Sequence, residues 1–173
     1  KGDREVVLAA VTRDGLALQY ASEELKWNRE VVLAAVAQNS NALHYLSRDL
    51  SPFKNASEEL RGDREVVLAA VAQNGLALRY ATEDLKGDHG LVLFAMVAHD
   101  GLPLQYASEE LKGNREVVLA AVAQYGRALQ FASEELKGDR KVVLAAVARN
   151  GEALQYASEE LKGDRKVVLA AVA

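Results

Sequence analysis

The chain contains no cysteine. That excludes a disulfide framework, a thiolate zinc site and a thiol nucleophile. Three histidines, His44, His89 and His99, are all that is available for imidazole chemistry. None of them stands in an H-x-x-x-H or H-E-x-x-H spacing, so they read as surface polar residues rather than metal ligands. Glycine-rich phosphate loops and the G-x-S-x-G nucleophile elbow are also missing; Gly2-Asp3-Arg4 and its copies resemble neither. Apolar runs such as residues 117–123 fall far short of the ~20 residues that span a bilayer. Neither sign of charge dominates: 21 Lys and Arg against 25 Asp and Glu leave a net charge of -4. This balance argues against a nucleic-acid binder working through bulk positive charge. What is present is apolar content: half of the 173 residues are hydrophobic, which excludes a disordered chain.

Self-similarity organises nearly every residue. The units are 1–25, 26–50, a remnant 51–60, then 61–85, 86–111, 112–136, 137–161 and a partial unit 162–173. The shared pattern is K-G-D-R-E-V-V-L-A-A-V-A-Q-N-G-x-A-L-Q-Y-A-S-E-E-L. No residue lies outside this single array, and both ends cut through the pattern. Terminal repeats ordinarily differ from internal ones to cap the core, so the chain reads as a window on a longer protein.

The first half of each unit reads as a helix. Asp3, Asn28, Asp63, Asp88, Asn114, Asp139 and Asp164 are good N-caps, and Glu5 in the first turn suits the helix dipole. Gly15, Gly75, Gly101, Gly126 and Gly151 stand where left-handed C-caps would end it. Val6, Val7, Leu8 and Val11 cover a broad arc and alanines fill much of the rest, so the helix is buried on more than one side. Leu119, the counterpart of Leu8, is thereby expected in the core. In the second half, Ala17, Leu18, Ala21 and Leu25 mark one helical face, which predicts a short helix over 16–21 and a tight turn at 26–28. Ser22 followed by Glu23 and Glu24 either continues that helix or caps a fresh turn. A two-helix hairpin of this size cannot bury its apolar face alone. The expected fold is all-α, an elongated or curved α-solenoid of ~25-residue two-helix repeats.

Symmetry-related side chains form stripes. The adjacent pairs Glu23–Glu24, Glu58–Glu59, Glu109–Glu110, Glu134–Glu135 and Glu159–Glu160 would make an acidic edge, with Arg4, Arg64, Arg115, Arg140 and Arg165 making a basic one. Adjacent helical residues do not face each other, so these are not catalytic dyads. Tyr20, Tyr45, Tyr80, Tyr106, Phe131 and Tyr156 share one slot, read as a core aromatic because it lies between Leu and Ala. Only irregular positions can single out one place on such an array. Trp27 replaces a turn glycine, Ser40 a capping glycine, and Ser51, Pro52 and Phe53 open the remnant. The unit 86–111 gains one residue, exchanges Arg-Glu for His89-Gly90, carries Phe94 and Met96 in place of smaller residues, and places Pro103 near the start of its second helix. Trp27, Phe53, His89, Phe94 and Met96 are the candidate partner contacts, since large side chains anchor interfaces.

The period separates the chain from ankyrin, tetratricopeptide and HEAT arrays, whose units run ~33 residues or more. With D-R-E-V-V-L-A-A-V followed by N-G-x-A-L-Q-Y-A-S-E-E-L-K, it resembles the tandem helical repeat known as domain of unknown function 4116, over essentially its whole length. The resemblance implies an all-helical array, found inside longer proteins of unicellular eukaryotes and algae, and carries over no activity and no catalytic residue. The expected function is a non-enzymatic protein-interaction or scaffold module with a protein partner, without cofactor, metal or nucleic acid. A peripheral subunit of a membrane-associated, for example photosynthetic, assembly fits the family's distribution. The alternative is an array accessory to an enzyme domain outside this stretch. Intracellular or organellar placement is favoured over secretion.

Overall fold

The computed structural model of the chain describes residues 2–42, 54–99 and 101–173, and of 54–57 the backbone alone. The structure is an all-helical repeat fold, with no strand among the described residues. It groups into two compact units, Lys1–Leu85 and Lys86–Ala173, divided at a border between repeats. Unit one holds α1 (Arg4–Arg13), α2 (Glu23–Lys26), α3 (Arg29–Gln38), α4 (Lys54–Arg61) and α5 (Arg64–Gln73), and α6 (Glu83–Lys86) ends on the first residue of unit two. Unit two holds α7 (His89–Ala98), α8 (Glu109–Lys112), α9 (Arg115–Gln124), α10 (Glu134–Lys137), α11 (Arg140–Arg149), α12 (Glu159–Lys162) and α13 (Arg165–Val172).

Every helix that follows a consensus Asp or Asn starts as the sequence predicts. Each Asp or Asn at the N-cap is extended, and its side-chain oxygen accepts a hydrogen bond from the backbone N–H three residues on. Examples are Val6 to Asp3 at 3.1 Å, Val117 to Asn114 at 3.2 Å and Val167 to Asp164 at 3.0 Å. The helix ends differ from expectation. Gly15, Gly126 and Gly151 are not left-handed; among the described residues only Gly101 has a positive φ, of 77°. The preceding residue closes the helix instead, in extended conformation, and then opens the next segment. The backbone N–H of Asn150 bonds to Ala146 O at 3.0 Å, while its side chain accepts from Glu152 N at 2.9 Å. Asp14, Asn39 and Asn74 do the same. Gly101 belongs to the one unit with an inserted residue, and a left-handed turn absorbs the extra length there.

The second half of each unit is split in two. A 3-10 helix, such as Gly15–Tyr20, Gly126–Phe131 or Gly151–Tyr156, is followed by two extended residues and a single α turn. Ser therefore caps a fresh turn: the hydroxyls of Ser108, Ser133 and Ser158 accept from Leu111, Leu136 and Leu161, each at 3.4 Å. Pro103 sits at the start of its 3-10 helix, as expected. The remnant's described part is α4, whose last turn corresponds to the single turn of other units; Ser51, Pro52 and Phe53 lie outside the described residues, as do His44 and Tyr45.

Within each unit the long helices pack on their successors, α1 on α3 and α3 on α5, then α7 on α9, α11 and α13 in order. The seam is Val31, Val32, Ala35 and Val36 in α3 and Val117, Val118, Ala121 and Val122 in α9, all fully buried. Leu119 and its counterparts Leu8, Leu33, Leu68 and Leu144 are only half-buried, and Leu169 is exposed, which corrects the assignment of Leu119 to the core. Backbone bonds fix the register of successive repeats: Ser133 N to Lys112 O and Ser158 N to Lys137 O, both 2.9 Å. Gln side chains at the helix ends reach back one repeat, Gly15 N donating to Gln38 Oε1 at 2.6 Å and Gln73 Nε2 to Val36 O at 2.8 Å. Burying one Val or Leu side chain contributes about 1.5–3 kcal/mol, so the apolar seam outweighs any surface charge pair.

Candidate functional site

The N-termini of the long helices carry an ordered ladder of charges. The cation at the first helical position leans onto the following repeat, Arg115 Nε to Asp139 Oδ2 at 2.9 Å and Arg140 Nη2 to Asp164 Oδ1 at 2.8 Å. Arg29 reaches Asp63 Oδ2 at 2.5 Å. Where the next cap is a neutral Asn, the partner shifts two residues along the helix. Arg4 then pairs with Glu30 beyond Asn28, and His89 Nε2 faces Glu116 Oε2 beyond Asn114 at 3.7 Å. The acidic pairs behave differently: Glu109, Glu134 and Glu159 each hold the Lys three residues on at 2.7 Å. These charges pair within the array.

The Arg29 guanidinium holds the Asp63 carboxyl below its usual range, and Arg115 does so for Asp139. At Asp164 the backbone N–H of Val167 is the largest cause of the same lowering. A carboxyl whose folded value lies below its unfolded value stabilises fully above the unfolded value, and the contribution vanishes as pH falls through the folded one. Stability should therefore be level near neutrality and fall below about pH 4. Asp139→Asn keeps the cap, as Asn114 does in its own repeat, and loses only a part-exposed ion pair. It should cost less than about 1 kcal/mol at neutral pH and shallow the acid limb in pH-dependent denaturant unfolding.

The structure separates the sequence-derived contacts. Trp27 is half-buried at the turn between α2 and α3 with φ of -104°. Gly113, Gly138 and Gly163 in the same slot have similar right-handed backbones, so the tryptophan needs no strain. Phe94 is 42% exposed on α7, and Val97, one turn on, is 59% exposed. His89 is exposed at the first turn of the same helix. Met96 is fully buried and packs in unit two's core, so a partner cannot meet it; this corrects its candidacy. Phe53 lies outside the described residues. The aromatic slot is not a core position either: Tyr20 is exposed, and Tyr80, Tyr106, Phe131 and Tyr156 are half-buried. Leu18, Leu78, Leu104 and Leu129 fill the core beneath them.

Grooves run between successive 3-10 helices. In unit two one, shallow and widely open to solvent, is lined by Arg127, Gly151, Glu152, Leu154, Gln155 and Lys162. In unit one a narrower one of about 50 Å³ occupies the corresponding place, beside Asn41, Leu76 and Arg79. The sequence pattern alone does not single out these residues; their one signal is the variable x of N-G-x-A-L. Among the described residues no three His, Asp or Glu side chains gather as a metal site would need. No helix there is long and apolar enough to cross a membrane.

No curated protein and no solved structure matches the chain. Four stretches, residues 3–51, 49–86, 91–137 and 139–173, match the family described as Domain of unknown function (DUF4116). The first and third each cover about two 25-residue units. The chain belongs to that family.

Proposed function

We propose that the chain is a non-enzymatic protein-interaction module that serves as a scaffold part of a larger assembly. What supports this is the exposed apolar pair Phe94 and Val97 on α7, at positions where α9 and α11 carry alanine. A near-identical array offers a ligand no fixed register, since sliding by one repeat changes little. Docking at one place requires side chains that occur once, and large apolar ones contribute most to interfaces. Trp27 gives unit one a second such mark. Attachment as a peripheral subunit of a membrane-associated assembly is the finer form of the proposal and rests on the family resemblance.

Quantitative affinity capture from the native source tests the reading, with the wild-type chain compared against a Trp27→Gly, Phe94→Ala chain. A specific protein should be recovered by the first and depleted about fivefold or more with the second, an effect expected of interface anchors. Equal recovery by both chains, with helical content unchanged, would mean the irregular residues are drift.

A further inference from the structure

The x position of N-G-x-A-L is leucine in three units, Leu16, Leu76 and Leu102, and polar or charged in the other three, Asn41, Arg127 and Glu152. Its neighbours scarcely change; the leucine two residues on is present in all six units. In both units of the structure this residue forms a wall of the groove between successive 3-10 helices. A position that is free to vary in a repeated scaffold and that faces a groove is where an array reads a ligand unit by unit.

Unit two adds a second row beneath it. Gln105 Nε2 donates to Leu102 O at 3.2 Å, Gln130 Nε2 to Arg127 O at 3.2 Å and Gln155 Nε2 to Glu152 O at 3.0 Å. Each amide is held in one orientation by the carbonyl of its own x residue, which leaves its Oε1 as an acceptor. Gln155 lines the groove itself. An extended polypeptide has unpaired backbone N–H groups that need such acceptors.

The spacing also fits. Packed layers lie roughly 8–10 Å apart. A polyproline II strand rises ~3.1 Å per residue with three residues per turn, or about 9 Å. Side chains three residues apart on such a strand therefore meet successive repeats. Arg127 is held loosely: Nη1 lies 3.6 Å from Glu152 Oε2 and Nη2 lies 3.4 Å from Tyr156 Oη, while its buried Nε has no hydrogen-bond partner. Charge-assisted bonds close to ~2.7–2.9 Å, so both charges can exchange this contact for a closer one.

We infer that this groove of unit two binds an extended polypeptide segment, Arg127 receiving an acidic side chain and Glu152 a basic one three residues away. This rests on the protein-interaction reading and gives the partner's chemistry. A nucleic-acid strand is disfavoured, because its phosphates would face Glu152 on a chain of net charge -4.

The test is fluorescence anisotropy of the whole chain with short labelled peptides in an extended host without proline, which keeps its backbone N–H groups. The series carries Glu and Lys three residues apart in both orders, two apart, or replaced by Gln, with single-stranded oligouridylate as a further probe. One order at the three-residue spacing should bind best, and the altered spacing or the Gln peptide should bind about tenfold more weakly, as for misplaced interface charges. The Arg127→Glu, Glu152→Arg chain should prefer the opposite order. The spacing series uses the wild-type chain and depends on no variant's folding. Equal binding of all peptides, binding of none, tighter binding of the oligouridylate, or an unchanged preference in the exchanged chain overturns the inference. If the exchanged chain still captures a native partner at the wild-type level, the groove assignment fails and the interaction reading stands. If neither chain captures one, the interaction reading itself fails.

Discussion

Replacing Gly126 by alanine is expected to destabilise unit two by about 2–3 kcal/mol, the usual scale of overpacking, although its backbone is not left-handed. A Cβ built there would overlap the carbonyl oxygen of Ala146 and lie 3.0 Å from Asn150 N and 3.1 Å from Asn150 Cβ. The obstruction is largely the backbone of α11, the helix of the next repeat, so no rotamer change relieves it. The same overlap is met at Gly15 with Ala35, at Gly101 with Ala121 and at Gly151 with Ala171. The glycine is the contact that lets the end of one long helix close against the next repeat's. Gly163→Ala is the control. Its Cβ would meet nothing nearer than 3.5 Å, at φ of -88°, and it should be neutral or stabilise by a few tenths of a kcal/mol. Denaturant unfolding of the two variants measures the contrast; equal effects would show that the glycine slot is a matter of local conformation alone.

Leu129→Asp should cost more, about 4 kcal/mol, because it buries an unpaired carboxylate. Leu129 is fully buried under the 3-10 helix Gly126–Phe131, whereas Leu119, expected to serve equally from the sequence, is half-buried and should cost less. The 3-10 helix packs on α9 and α11 and on the next 3-10 helix. In an array whose layers couple to their neighbours, amide protection should fall first in α9 to α11 and least in α7. Hydrogen exchange of Leu129→Asp reads this directly. Uniform loss from α7 through α13 would mean that unit two behaves as one cooperative globule.

The helix starts were legible because one side chain, Asp or Asn, satisfies a local need that no distant contact overrides. The ends were not. Gly126 is required by the carbonyl of Ala146, twenty residues away, and a sequence read one unit at a time assigns it to local conformation. The second half of each unit winds with a shorter period than its apolar spacing suggests. At three residues per turn, Gly15, Leu18 and Ala21 fall on one buried row, and Tyr20 turns outward, where a 3.6-residue period had set it beside the core. Met96 and Phe94 look alike as enlarged side chains. Only their places on α7 separate them, Met96 entering the slot of buried Val71 and Val122 and Phe94 that of half-buried Ala69 and Ala120. Arg127 and Glu152 were visible as variation at x, but nothing in the sequence said that x faces a groove.

Cross-linking mass spectrometry on the native assembly tests the central claim most directly. A protein-interaction array predicts reproducible links from this chain to one partner protein, concentrated on lysines near the singular residues and the groove, Lys26 beside Trp27 and Lys162 at the groove wall. Links scattered evenly over equivalent lysines of every repeat, or none to any other protein, would contradict it.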